Sequence, residues 1–72
     1  MQPIEFELSK EHIALCDLLK LAGIADSGGR GKVMVAEGLV KVDGQPESRK
    51  TAKIRPGQTV ECMDIEIKVI PG

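Results

Sequence analysis

Residues 27–44 read SGGRGKVMVAEGLVKVDG: a glycine-rich, cationic start runs into an apolar stretch, a further glycine and an alternating segment. Either Asp26 or Ser27 can cap a helix here, since a short side-chain oxygen accepts a hydrogen bond from a first-turn amide. The stretch through Glu37 then reads as a short, mostly buried helix carrying Val33, Met34, Val35 and Ala36. Gly38 stands where helices close through a residue of positive φ. LVKV alternates like a strand, and Asp43-Gly44 follows as a tight turn, because both central positions of a type I′ turn need positive φ.

Upstream, Leu15, Leu18, Leu19 and Ala22 recur at helical spacing, with Ser9 as candidate cap, Glu11 in the first turn and Gly23 at the closing position. This predicts a first helix over 10–22. Before it, Ile4, Phe6 and Leu8 alternate with Glu5 and Glu7, the period of a half-buried edge strand. Downstream, the polar ESRKTAKI is a short strand or a cationic loop, Pro56-Gly57 marks a type II turn, and TVECM and IEIKVI form a hairpin around Asp64 with Ile65, Ile67 and Val69 inward. The order is strand, two helices, then three or four strands. It predicts one α+β domain over 1–72, with a helix pair packed on a small, mainly antiparallel β-sheet.

The glycines of SGGRGK are not a nucleotide loop. A P-loop needs G-x-x-x-x-G-K-[ST], but Asp26 and Val33 occupy the first and last of those positions. No parallel βαβ unit fits a chain this short, which removes a dinucleotide fold. Glycine in a helix costs about 1 kcal/mol against alanine, so Gly28, Gly29 and Gly31 ask for an offset. Two are open: close approach of a phosphate to the first-turn amides, helped by Arg30 and Lys32, or tight packing of the second helix on the first.

Composition narrows the function further. In 72 residues, 42% hydrophobic and 29% charged, no apolar run is long enough for a membrane span and no signal peptide opens the chain, so a cytoplasmic protein is expected. Cys16 and Cys62 are too few for a disulfide framework and read as reduced, buried thiols. His12 and Cys16 stand four apart but lack a third, orienting group, and no metal spacing occurs. No catalysis, cofactor, metal or small-molecule substrate is expected.

The formal net charge of −1 hides a polarised distribution. Residues 1–19 sum to −3 and 56–72 to −2, whereas 20–55 hold eight cations against four carboxylates, for +4. One face should attract anions. Phe6 is the single aromatic, so base-stacking platforms are excluded, and a nucleic-acid partner would be held through phosphates, 2′-hydroxyls and shape.

The ordered set LLKLAG, a serine-led turn into a short helix, EGLVKVDG, a basic segment and RPGQTVE resembles the α-L RNA-binding motif, the domain type of ribosomal protein S-four, over residues 13–70. Its small single-domain bacterial members are the nearest in kind. The resemblance implies RNA contacts from Lys20, Ser27, Gly28, Gly29, Arg30, Lys32, Lys41, Arg49, Lys50 and Lys53. Gly28 stands where the motif usually has arginine, and Asp43 where its turn usually has asparagine. Larger relatives join this module to a catalytic domain; none is expected here. The expectation is a monomeric, non-enzymatic binder of structured or ribosomal RNA, the alternatives being a protein-interaction adaptor or a ubiquitin-like carrier. A carrier would end in Gly-Gly, and this chain ends in Pro71-Gly72.

Overall fold

A computed structural model describes residues 2–72. The elements run β1 (Gln2–Leu8), β2 (Ile13–Ala14), α1 (Leu15–Leu21), α2 (Gly28–Ala36), β3 (Val40–Val42), β4 (Gln45–Pro46), β5 (Lys53–Ile54), β6 (Thr59–Cys62) and β7 (Ile65–Pro71). Five strands form one sheet in the order β1-β7-β6-β3-β4, while β2 and β5 form a separate antiparallel pair. All pairings in the larger sheet are antiparallel except β1 with β7, which aligns Ile4 with Ile67 and Phe6 with Val69. The fold class is as expected. The parallel edge is not foreshadowed by local pattern, because pairing of the two ends of the chain is a tertiary choice.

Strand alternation sorts the sheet into two faces. One carries Val40, Val60, Ile67 and Val69, all buried, and joins Leu15, Leu18, Leu19, Met34 and Val35 of the helices in a single core. The other carries the register row Lys41, Glu61, Glu66 and the row Thr59, Lys68, Glu5. Both helices therefore cover one face, and the opposite face is charged.

The first helix begins later than its pattern suggests. It spans Leu15–Leu21, its cap position is Ala14, and Ser9 lies outside it. The reason is tertiary: Ile13 and Ala14 are drawn into pairing with Ile54 and Lys53, and the amides of Leu15 and Cys16 donate to the carbonyls of Ala52 (2.9 Å) and Lys50 (3.1 Å). Backbone carbonyls thus replace a capping side chain, satisfying amides that every helix start leaves without a partner. At its other end the helix closes through Gly23 at φ +81°.

Cap and turn signals elsewhere resolve as expected, but α2 is less buried than its apolar run suggests: Met34 and Val35 enter the core while Val33 and Ala36 stay exposed. Ser27 rather than Asp26 caps α2, its Oγ accepting from the Arg30 amide at 3.1 Å, and Gly38 follows at φ +79°. Asp43 and Gly44 both have positive φ, 51° and 81°, as a type I′ turn requires. The Asp43 side chain also ties this turn to the start of β6, its Oδ1 accepting the Thr59 amide at 2.9 Å and its Oδ2 accepting from Gln58 Nε2 at 3.3 Å. Asparagine keeps the Oδ1 acceptor for the Thr59 amide and tolerates the same conformation, giving up only the longer, exposed bond from Gln58, so the departure from the family turn costs little. Asp43→Asn is expected to leave stability within about 0.5 kcal/mol, whereas Asp43→Ala should lose about 1–3 kcal/mol through the unpaired Thr59 amide and the left-handed backbone, as read from urea denaturation midpoints.

Candidate nucleic-acid interface

Two backbone contacts of Cys16 assemble the basic surface. Its amide holds the Lys50 carbonyl, as above, and its carbonyl oxygen faces Gly31 so closely that a Cβ there would lie 2.7 Å away. Only glycine permits that approach. Of the two offsets open for the glycines, Gly31 takes the structural one. A Cβ on Gly28 or Gly29 would meet only a side-chain atom at 3.8 Å, Asp17 Oδ1 and Ser27 Oγ respectively, so these two are not required by helix packing.

With Lys32 adjacent to Gly31 and Lys50 on the loop tied to α1, the two segments wall a concavity of about 860 Å³ lined by Lys32, Ser48, Arg49, Lys50, Ala52 and Lys53, with Thr51. Four cations converge there from positions 32 and 49–53. Ser27, Gly28, Gly29 and Arg30 form the start of the same helix that supplies Lys32. All the cations named are exposed, so none carries the desolvation cost of burial.

Two of the expected contact residues stand elsewhere. Lys41 is on β3 directly opposite Glu61, on the sheet face away from the helices, because the pleat that turns Val40 and Val42 inward turns the residue between them outward. Lys20 lies exposed in the last turn of α1 and does not line the concavity. The His12–Cys16 spacing also loses its meaning, since His12 precedes the helix and Cys16 is buried.

Glu47 is the residue that pattern reading passed over. Its carboxylate accepts from Arg49 Nε (3.1 Å), Nη2 (3.0 Å) and the Arg49 backbone amide (3.0 Å), which lowers its pKa from 4.5 to about 2. The E-x-R spacing of ESR was the available signal. Nearby, Arg55 and Glu11 make a looser ion pair at 3.6 Å between exposed side chains. Burial pushes the Cys62 thiol pKa up, which keeps it protonated and unreactive.

Fold and site together define a small α+β module that presents an open cationic groove. The chain belongs to the S4 domain family, whose sequence pattern matches residues 6–70. It is 50% identical over 66 residues to YbcJ of Escherichia coli K12, covering 90% of this chain and 94% of that one. It is 37% identical over 54 residues to RlbA of Bacillus subtilis 168, covering 75% and 76% of the two chains, a protein whose name links it to ribosome maturation. The solution structure of E. coli YbcJ superposes with a TM-score of 0.68 at 44% identity, over 97% of this chain and 87% of that one, and is described as revealing an αL motif involved in RNA binding.

The glycines separate by experiment. Gly31→Ala should destabilise the fold by about 1–3 kcal/mol through overpacking, while Gly29→Ala should be neutral or stabilising by up to about 1 kcal/mol, both measured by chemical denaturation. For Glu47, a folded pKa held below its unfolded value means that its pairing contributes above the ordinary carboxylate range and is lost as pH falls through about 2. Carboxyl-detected NMR titration should place its midpoint near 2 and return it to the ordinary range in Arg49→Ala.

Proposed function

We propose that this protein is a non-enzymatic RNA-binding protein that holds structured RNA through phosphate contacts in the groove between α2 and the 48–53 loop. The observation that carries this reading is the convergence of Lys32, Arg49, Lys50 and Lys53 on one concave surface, in a chain of the S4 domain family. The description of the YbcJ solution structure as an αL motif involved in RNA binding favours the same partner. The name of RlbA, tied to ribosome maturation, favours ribosomal RNA within that class.

The chemistry agrees with the composition. With Phe6 the single aromatic and only half-buried against the core, side chains cannot offer a stacking platform for splayed bases. Lysine-rich surfaces recognise the spacing of phosphates instead, and that spacing is regular only where the RNA is folded. Ser27 to Arg30 continue the same helix start, where Gly29 leaves room for a phosphate near amides and a dipole that favour an anion, while the Asp17 carboxylate already stands beside Gly28 and disfavours a phosphate there. The monomer is the binding unit.

Binding to a fluorescein-labelled RNA hairpin, followed by anisotropy across a salt series, tests the reading. The expected log–log slope is about −3 to −4, as for three to four phosphate contacts. Lys50→Glu/Lys53→Glu and Arg30→Glu/Lys32→Glu should each weaken binding about tenfold or more, while Lys41→Glu on the far face should change it less than about twofold. A flat salt dependence, or equal loss from Lys41→Glu, would contradict it; saturable binding of an acidic protein in place of RNA would favour an adaptor.

A further inference from the structure

Within the groove, one cation differs from the others in how it is held. Arg49 is 78% exposed at its side chain, yet both its Nε and its Nη2 are tied to Glu47, which is only 17% exposed. Glu47 is itself fastened, its amide donating to the Val40 carbonyl at the start of β3 (3.0 Å). The Arg49 carbonyl accepts from the Ala52 amide (3.2 Å), within the segment whose Lys50 and Ala52 carbonyls cap α1. Backbone and guanidinium of Arg49 are therefore both immobilised on an otherwise solvent-facing loop.

We propose that Arg49 is a pre-aimed fork for a single RNA phosphate and that Glu47 is its positioning residue, an assignment that rests on the RNA-binding reading above. A guanidinium has five N–H donors in one plane. Glu47 occupies the edge formed by Nε and Nη2, which leaves the two donors of Nη1 and the second donor of Nη2. Those include the parallel pair at the end of the side chain, the geometry that accepts two oxygens of a phosphodiester. The groove then contains one directional phosphate site among point charges supplied by Lys32, Lys50 and Lys53.

Glu47 could instead act as a simple neutraliser that weakens RNA binding, and magnitudes decide between the two. The Arg49 side chain is 78% exposed, so a phosphate on its free edge meets the carboxylate about 7 Å away largely through solvent; at the dielectric of water, with a Debye length of about 8 Å, repulsion lowers affinity less than about twofold. Holding a rotamer-rich side chain in its binding geometry beforehand raises affinity by about two- to tenfold. Positioning wins, so removing the acid should weaken binding even though it makes the loop more positive.

The test measures hairpin RNA affinity for wild type, Glu47→Gln, Arg49→Ala, Arg49→Lys and the Glu47→Gln/Arg49→Ala double variant, with folding of each checked by amide NMR. Glu47→Gln is expected to weaken binding about two- to fivefold, the lost positioning less the relieved repulsion, and the double variant should bind no more weakly than Arg49→Ala. Arg49→Lys, which keeps the charge and loses the fork, should fall close to Arg49→Ala and serves on its own if Glu47→Gln does not fold. Unchanged or tighter binding by Glu47→Gln, or wild-type affinity in Arg49→Lys, overturns the proposal. If wild type fails to bind the hairpin, the RNA reading falls. Inorganic pyrophosphate titrated against the Arg49 guanidinium resonances then decides the fork alone: a saturating shift at Nη–H with Nε–H still held by Glu47 supports it, and no Nη–H shift, or displacement of Glu47 from Nε–H, overturns it.

Discussion

The peptide groups flanking Cys16 are the junction on which the rest of this small protein depends. Its amide holds the Lys50 carbonyl, and its carbonyl admits α2 to a distance that only Gly31 tolerates. A buried helix-start amide left without a partner costs about 1–3 kcal/mol, a large fraction of what a domain of this size has in hand. The same contacts bring two segments remote in sequence, the α2 start and the 48–53 loop, onto one surface. Packing and the proposed binding surface are thus set by the same atoms.

Charge separation follows from the topology. The helices cover one sheet face, so strand alternation sends Glu5, Glu61 and Glu66 to the other, with Lys41 and Lys68 among them in register. Lys32, Arg49, Lys50 and Lys53 gather away from that face, with Glu47 paired to Arg49 beside them. A nearly neutral chain can in this way present a cationic groove, because the field near a surface depends on the local arrangement of charge more than on its total. Within that groove the Glu47–Arg49 pair gives up some net charge and gains a fixed geometry.

Features governed by neighbours in sequence were legible beforehand: the Ser27 cap, the closing glycines at 23 and 38, the Asp43-Gly44 turn and the inward strand residues. Those governed by distant partners were not. Ser9 resembles a cap for a helix starting at 10, but the β5 strand claims Ile13 and Ala14 and delays the helix to Leu15. The parallel β1–β7 pairing leaves no local mark, since a parallel strand alternates like an antiparallel one. Among the expected contact residues, Lys32, Arg49, Lys50 and Lys53 line the groove and Ser27–Arg30 precede Lys32 on its helix, while Lys41 and Lys20, grouped with them by the family resemblance, do not. The pleat and the helix face separate them. Gly31 was visible as a costly glycine, but its reason, the Cys16 carbonyl, required the fold.

Chemical-shift mapping on the isotope-labelled protein, titrated with an RNA hairpin, tests most directly whether the Cys16 junction builds the binding surface. Perturbations are expected to concentrate at Ser27–Lys32 and residues 48–53 and to reach the amides of Leu15 and Cys16, with Glu5, Lys41, Glu61 and Lys68 unmoved. Perturbations centred on that outer sheet face, with the 48–53 loop unchanged, would contradict it.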